Sequence, residues 1–301
     1  MLMLLSQVDD DAAQAVGTSP RPHAANASEK GQAYRLLVPW TGWLPPPVLH
    51  TLKRAVRPLE RERQRLARLP DYATGSTTLA GGPLTFVHPR SFINQYELIF
   101  ERHQYDFPSA TDAPRIVDGG ANVGLACVYW KRRWPQASIT AFEADPRICT
   151  VLRGNLRAAG ADAGVDVVQA ALSDRTGTLR FAQDGGDAGR LDPAGGTDVP
   201  ALKLGPFLDE HVDLLKLDIE GAETDVLTDC ADALSRVERV FVEYHSLAEQ
   251  PQRLVELLGV LRRAGFRVHI QTEHCSANPF ERIRTSYGMD LQLNVWAVRP
   301  S

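Results

Sequence analysis

The spacing of apolar residues changes near residue 115 of the chain. Before that point, a sustained helical period appears only between Val48 and Leu69, where apolar residues recur at helical spacing. After it, short runs rich in β-branched residues alternate with longer segments of helical period. Such alternation is typical of an α/β domain, in which helices cover both faces of a parallel sheet.

The second part of the chain contains seven apolar runs of strand length and four segments of helical period. The strands are predicted at 115–118, 138–142, 165–170, 213–219, 239–244, 267–271 and 291–298, with a short hairpin arm at 178–181. The helices are predicted at 124–134, 146–159, 222–234 and 252–264. No helical segment separates the last two strands, which predicts an antiparallel final strand.

The N-terminal part of the chain follows a different pattern. Residues 1–33 are predicted to be a flexible leader, residues 34–94 an N-terminal helical or cap region, and residues 95–301 the α/β domain. The helix that begins at Val48 should kink or split at Pro58. Its other face is basic, and we interpret it as a solvated face rather than a surface for a membrane or an anionic partner. The basic residues are Lys53, Arg54, Arg57, Arg61, Arg63, Arg65 and Arg68.

Composition narrows the classes of function. Of the 301 residues, 44% are hydrophobic and 23% charged, and the formal net charge is -4. This charge does not favour nucleic acid as the main partner, because such binding needs a clear cationic surface. The run Met1–Leu5 is a poor signal peptide and no later run reaches membrane-spanning length, so we expect a cytoplasmic protein. The cysteines, at 127, 149, 230 and 275, lack metal-site spacing and are predicted to be buried free thiols.

The segment 118–124, with the sequence DGGANVG, connects the first predicted strand to the first predicted helix. Gly120 and Gly124 allow the backbone to approach a ligand closely, at the position where open α/β sheets bind nucleotide-like molecules. A dinucleotide fingerprint would need a glycine where the chain has Ala121. The acid-x-Gly-x-x-x-Gly pattern suits S-adenosylmethionine better, since Asp118 could hold its ammonium group directly or through water.

Two further strand ends complete the predicted cofactor site. Glu143 follows the second strand and is expected to accept hydrogen bonds from both ribose hydroxyls. After the third strand, Leu172 is expected to pack on the adenine ring, and Ser173 or Asp174 to accept from its amino group. The predicted cofactor-binding set is Asp118, Gly119, Gly120, Asn122, Gly124, Glu143, Ala144, Leu172, Ser173, Asp174 and Asp218.

The chain resembles the FkbM family of S-adenosylmethionine-dependent O-methyltransferases over about residues 95–298. The matching segments are 117–124 (VDGGANVG), 142–146 (FEADP), 242–245 (VEYH) and, most specifically, 215–223 (LKLDIEGAE). The resemblance implies a Rossmann-like class I methyltransferase fold, with a seven-stranded, mostly parallel sheet and an antiparallel last strand. It also implies methyl transfer to a hydroxyl group, commonly of a sugar or a polyketide-like natural product.

Four polar residues at the ends of the fourth and fifth strands are the predicted catalytic group. Asp218 and Glu220 share one side of their strand, as do Glu243 and His245, and adjacent parallel strands would bring all four together. In one route, His245 or a carboxylate takes the proton of the acceptor hydroxyl. In the other, Asp218, Glu220 and Glu243 hold a divalent cation such as Mg²⁺ that lowers the pKa of the hydroxyl. The metal-free route is the preferred interpretation.

Residues around this group have less specific predictions. Glu223 either caps the following helix or belongs to the catalytic group, and Lys216 is placed on the opposite face, in packing or a salt bridge. The stretch 184–198 is predicted to be a mobile loop that closes over the site. The candidates for acceptor recognition are the loop 274–287 and the segment 94–107, within it Tyr96, Glu97, His103 and Tyr105.

Two other functions remain open for this scaffold. An NAD-linked oxidoreductase would use the same ribose-binding acid, but Ala121 and the acidic fourth strand argue against it. A catalytically silent ligand-binding scaffold would use the basic helix as its working surface. Methylation of amines or nucleobases is disfavoured, because residues 218–221 read DIEG where an Asn-Pro-Pro-Tyr-type motif is common.

Overall fold

The computed structural model describes residues 58–182, 189–191 and 195–300. The predicted leader and the basic helix up to residue 57 lie outside these residues, whereas residues 58–67 are helical. Within the described residues, no helix combines the length and the apolar character that crossing a membrane requires.

Helices and strands alternate through the second part of the chain. The strands are β1 (Gly75–Thr77), β2 (Leu84–Phe86), β3 (Arg115–Gly119), β4 (Ser138–Phe142), β5 (Val165–Val168), β6 (Ala171–Leu172), β7 (Gly177–Ala182), β8 (Arg190–Leu191), β9 (Thr197–Leu202), β10 (Leu214–Leu217), β11 (Arg239–Leu247), β12 (Arg267–His274) and β13 (Met289–Val298). The α-helices after residue 88 are α1 (Pro89–Tyr96), α2 (Leu125–Arg133), α3 (Pro146–Ala158), α4 (Glu223–Asp229) and α5 (Leu254–Arg263). A π-helical turn, Glu97–Glu101, continues α1, and 3₁₀ turns cover Gly205–Leu208 and Ala231–Arg236.

Seven strands form the central sheet in the order β12-β13-β11-β10-β3-β4-β5. Neighbouring strands from β11 to β5 are parallel, and β13 pairs antiparallel with both β11 and β12. The predicted Rossmann-like class I fold, including the antiparallel last strand, is confirmed.

Alternation along the strands builds an apolar core on each face of the sheet. Ile116 packs in the core that contains α2 and α3, and the next residue, Val117, packs in the core that contains α4 and α5. Both side chains are fully buried, because successive strand residues point to opposite faces. This explains why β3 and β10 read as continuous apolar runs.

The predicted third strand is divided in two. β5 ends at Val168, and β6 leaves the central sheet to join a second sheet of order β6-β9-β7-β8. The predicted mobile loop 184–198 is therefore wrong in part, because residues 190–191 and 197–198 lie in strands β8 and β9. Residues 184–188 and 192–194 of that loop lie outside the described residues.

The hairpin β1–β2 packs against the α/β core, and the sequence pattern did not predict it. Asn155 of α3 joins the two parts: its Oδ1 accepts from the Thr85 N–H at 2.7 Å, and its Nδ2 donates to the Thr85 carbonyl at 2.9 Å and the Val123 carbonyl at 2.8 Å. Arg63, on the predicted basic face, forms ion pairs with Glu97 and Glu101. The charge of Arg63 is therefore used within the fold.

The cysteines are free, as predicted, but they are not all buried. Cys127, Cys149 and Cys230 are buried, whereas Cys275 is exposed. Cys275 follows the edge strand β12, most of whose residues are exposed, which explains why this prediction was wrong for one thiol.

Candidate functional site

A cavity of ≈ 280 Å³ lies where β3, β4 and β10 end, at the carboxyl edge of the central sheet. Open α/β sheets commonly bind their ligands at this edge. Three of the four predicted catalytic residues, Asp218, Glu220 and Glu243, line it, whereas His245 does not. The members of the predicted cofactor set that line it are Gly120, Asn122, Glu143, Ala144, Leu172 and Asp218.

The glycine-rich turn is held tightly against neighbouring backbone and side chains. Gly120 has φ +80°, and a Cβ atom there would lie 1.8 Å from the carbonyl oxygen of Asp218. Gly124 has φ +89°, and a Cβ atom there would lie 2.4 Å from Cδ1 of Leu152. The left-handed backbone and the close approaches both require glycine, so Gly120 and Gly124 give the turn its shape.

Glu143 is buried at the floor of the cavity and is held by backbone N–H groups. Its Oε2 accepts from Asn122 and its Oε1 from Asp145, each at 2.9 Å. Burial raises the pKa of Glu143 to about 7, although these two hydrogen bonds oppose the rise. A carboxylate oxygen has several acceptor positions, so Glu143 can still accept hydrogen bonds from two hydroxyl groups in the cavity.

Of the cofactor-binding residues predicted after the third strand, only one lines the cavity. Leu172 lines the cavity together with Ala170 and Ala171, which the sequence did not single out. Ser173 and Asp174 lie outside the cavity lining, and the Ser173 hydroxyl donates to the Asp174 carboxylate at 3.0 Å.

Asp118 acts on the cavity through Lys216 rather than by lining it. Its side chain is fully buried, Lys216 Nζ lies 3.1 Å from its Oδ1, and the Cys127 thiol donates to its Oδ2 at 3.5 Å. The Lys216 ammonium also donates to the Gly120 carbonyl at 2.9 Å. The pair therefore fixes the glycine turn on the sheet.

Lys216 of β10 points to the same side as Asp218, which directly follows that strand, with Nζ 3.6 Å from the Asp218 Oδ2. The prediction of the opposite face was wrong, because residues two apart on a strand share a side. The alternative role given for Lys216, a salt bridge, is confirmed. Burial alone would lower the pKa of Lys216, but Asp118 and Asp218 raise it.

The four predicted catalytic residues come together where the turn after β10 meets the second half of β11. Nε2 of His245 lies 3.8 Å from Oε2 of Glu220 and 3.8 Å from Oε1 of Glu243. Asp218 completes the group and keeps 25% of its side chain exposed. Glu220 adopts φ +58°, a left-handed conformation that is uncommon for a residue other than glycine and is often found at functional sites.

Two further residues organise this group. Glu223 accepts the ring Nδ1–H of His245 at 2.9 Å and the N–H groups of Ile219 and Gly221. It therefore both caps the turn before α4 and belongs to the polar group. Gln292 of β13 contacts Glu243 and His245 through its side-chain amide. No sequence pattern predicts this contact, because only strand register places Gln292 opposite His245.

Burial and neighbouring charges shift the pKa values of three residues in this group. Burial raises the pKa of Glu243 to about 8, with Asp218 adding to the rise. Burial likewise raises the pKa of Glu220 well above its usual range. Burial alone would lower the pKa of His245, but the carboxylates of Glu223, Glu220 and Glu243 raise it well above its usual range.

The far wall of the cavity differs from the expected acceptor site. In the segment 94–107, the cavity is lined by Asn94, Gln95 and Leu98. In the loop 274–287, it is lined by Ser286 and Tyr287. The expectation for the four residues named within 94–107 was wrong: Tyr96, Glu97, His103 and Tyr105 do not line it.

Packing explains this correction for the two tyrosines. Tyr96 is buried and stacks on Phe100, with ring centroids 5.2 Å apart. Tyr105 is buried against Phe241, at 4.9 Å between centroids. Both rings belong to the apolar core and are unavailable for stacking on an acceptor.

Comparison with known proteins gives matches over the same region. Residues 118–268 match a family model described as Methyltransferase FkbM domain. Methyltransferase sdnD of Sordaria araneosa is 34% identical over 172 residues, which cover 44% of this chain and 66% of sdnD. The 2-O-methyltransferase NoeI of Sinorhizobium fredii is 29% identical over 156 residues, which cover 44% of this chain and 63% of NoeI.

In both cases the match spans slightly less than two thirds of the relative's own length. Among solved structures, Methyltransferase FkbM from Methylobacillus flagellatus aligns with a TM-score of 0.45 and 16% identity, over 82% of this chain and 60% of that one.

Proposed function

The chain belongs to the FkbM family of methyltransferases, and we propose that it uses S-adenosylmethionine to methylate a hydroxyl group of a small molecule. The observation that carries the proposal is the continuity of one cavity. The same cavity is lined by Glu143 at one end and by Asp218, Glu220 and Glu243 at the other. A cofactor and an acceptor bound there would meet next to the polar group.

The cofactor end of the cavity fits the nucleoside of S-adenosylmethionine. Glu143 offers a buried carboxylate to the two ribose hydroxyls, and Leu172 offers an apolar surface to the adenine ring. NAD-binding sites also use an acid at the position of Glu143 to bind the ribose, so Glu143 does not distinguish the two cofactors. The family match and Ala121 favour the methyltransferase over the oxidoreductase.

The cofactor, when bound, supplies an activated methyl group on a sulfonium. The protein then has to align the acceptor oxygen with that methyl group, and positioning of this kind can provide most of the catalysis. The acceptor oxygen also has to lose its proton. Asp218, Glu220, Glu243 and His245 lie at the end of the cavity where that proton would leave.

A hydroxylated, sugar-like or natural-product acceptor fits the remaining wall. Asn94, Gln95 and Ser286 supply hydrogen-bonding groups and Tyr287 an exposed phenol ring. The name of NoeI describes a 2-O-methyltransferase, which supports an oxygen acceptor here.

The proposal is tested by methyl transfer to a panel of matched acceptors. The purified chain is incubated with S-adenosylmethionine and saccharides, polyketide alcohols or their amine analogues, and products are detected by mass spectrometry. We expect methylated products from alcohols, lost in Glu143→Gln and retained in Glu249→Gln, since Glu249 is exposed. Methylation of the amine analogues instead of the alcohols would contradict the assignment.

A further inference from the structure

We propose that Asp218, Glu220 and His245 form a binding site for a divalent transition-metal cation. The proposal deepens the proposed function, since two of these residues line the same cavity. One ligand atom from each residue lies within 4.8 Å of the others. A cation bound at about 2.0–2.4 Å from each atom fits between atoms at such separations.

The orientation of His245 is the strongest support. Its Nδ1 is 2.9 Å from Oε1 of Glu223, and its Nε2 faces Glu220, Glu243 and the side-chain amide of Gln292. Histidines that bind metals commonly donate the N–H of the other ring nitrogen to a carboxylate, which fixes the ring and its tautomer. Glu223 has this relation to His245 and is itself fixed by two backbone N–H groups.

An unpartnered oxygen points to the same place. Oε2 of Glu220 has no accessible surface and no hydrogen-bond partner, and it lies 3.8 Å from Nε2 of His245. A buried carboxylate oxygen without a partner is costly. A cation held by Glu220 and His245 would satisfy this oxygen.

The carboxylates around His245 also favour the binding of a cation. The carboxylates of Glu220, Glu223 and Glu243 face the imidazole of His245. A carboxylate oxygen of Asp218 lies within 4.8 Å of one of its ring nitrogens. Lys216, the nearby ammonium, is closer to Asp118 than to Asp218, at 3.1 Å against 3.6 Å. Asp118 therefore takes up much of the charge of Lys216, and little positive charge is left to stabilise the ionised carboxylates around His245.

The ligand types indicate which cation. One imidazole nitrogen with two carboxylates favours a first-row transition metal such as Mn²⁺ over Mg²⁺, which prefers oxygen ligands. The structure thus replaces Glu243 by His245 in the metal set that the sequence suggested. At this end of the cavity, a cation would lower the pKa of an acceptor hydroxyl.

The experiment is a titration of the full chain, freed of metal with a chelator, with Mn²⁺. Binding is monitored as the loss of the electron paramagnetic resonance signal of free Mn²⁺. We expect one tight equivalent per chain, displaced by Zn²⁺ and only weakly by Mg²⁺. Glu220→Gln and His245→Gln should abolish this binding, whereas Glu223→Gln should weaken it by about 10–100-fold. The matched control is His211→Gln, in a second cluster formed with Asp213 and Glu238 at the other end of β10.

Calorimetry with S-adenosylhomocysteine on the same samples separates the two proposals. Variants that bind S-adenosylhomocysteine normally but not Mn²⁺ support the metal site, since the fold is then intact. Absence of Mn²⁺ binding by a wild-type chain that binds S-adenosylhomocysteine overturns the metal site alone. Equal Mn²⁺ binding by wild type, Glu220→Gln and His245→Gln overturns it as well. Failure to bind S-adenosylhomocysteine counts against the proposed function instead.

Discussion

The ring Nδ1 of His245 lies 2.9 Å from the Oε1 oxygen of Glu223. The same oxygen accepts the N–H groups of Ile219 at 3.1 Å and Gly221 at 3.0 Å. One buried carboxylate thus joins the turn that follows β10 to a side chain of β11. The positions of Glu220 and His245 relative to each other depend on it.

Removal of this carboxylate should destabilise the fold strongly. Glu223→Ala leaves the buried His245 without its hydrogen-bonded carboxylate and two partly buried N–H groups without an acceptor, and we expect a loss of about 3–5 kcal/mol in the free energy of unfolding. Urea denaturation measures it. Glu249→Ala, at an exposed site, is the control, and a Glu223→Ala variant as stable as this control would contradict the structure.

The Lys216–Asp118 pair should behave as a buried ion pair. Lys216→Met leaves the fully buried Asp118 carboxylate without a counter-charge, and we expect a loss of about 3–5 kcal/mol in the free energy of unfolding. The double variant with Asp118→Asn should recover part of this loss, because the unpaired charge is then absent.

The exposed pair Lys203–Asp229 provides a control of the same type. Lys203→Met should cost no more than about 1 kcal/mol. Equal losses for Lys203→Met and Lys216→Met in urea denaturation would show that Lys216 is not buried against Asp118.

Two left-handed glycines should respond very differently to alanine. In Gly120→Ala, the new Cβ meets the Asp218 carbonyl oxygen at 1.8 Å, so we expect a loss above about 4 kcal/mol, a size that points to a specific defect. Gly160 has φ +62° with open space around it, and Gly160→Ala should cost only about 1–2 kcal/mol for the backbone conformation. Similar unfolding midpoints for the two variants would contradict the described turn.

Binding of S-adenosylhomocysteine should weaken as the pH falls below 7. The pKa of Glu143 is raised to about 7, so acidification protonates the carboxylate and removes acceptors for the ribose hydroxyls. From this pKa, the affinity should drop by roughly fivefold between pH 7 and pH 6. Calorimetry over this range measures it, and Glu143→Gln should bind more weakly and show no such dependence. An unchanged affinity in the wild-type chain would exclude the ionised Glu143 as the ribose ligand.

The main sheet could be predicted because its strands carry local signals. The strand 138–142 was predicted at its observed bounds, and the others differ mainly at their ends. Continuous apolar runs bounded by Gly, Pro and Asp mark buried parallel strands. Strands of two or three residues, such as β1, β6 and β8, are too short to show a period, so the hairpin β1–β2 was missed. Of the second sheet only β7 was predicted, as the hairpin arm 178–181.

The part of the site formed by polar residues at strand ends could be predicted from the sequence. Asp218, Glu220, Glu243 and His245 were placed together from the two-residue alternation and the expected adjacency of two parallel strands, although β10 ends at Leu217 and the first two residues lie in the turn that follows it. Gln292 was not, because its position depends on the register between the antiparallel strands β11 and β13, which a single sequence does not specify. The core positions of Tyr96 and Tyr105 likewise depend on contacts with distant parts of the chain.

We propose that the cavity between Glu143 and Asp218 binds the nucleoside and amino acid parts of S-adenosylmethionine. Calorimetric titration of the folded chain with S-adenosylhomocysteine, in parallel with NADH, tests it most directly. We expect a one-to-one complex with S-adenosylhomocysteine, weakened in Glu143→Gln, and no comparable binding of NADH. Absence of heat with S-adenosylhomocysteine on folded protein, or tighter binding of NADH, would contradict it.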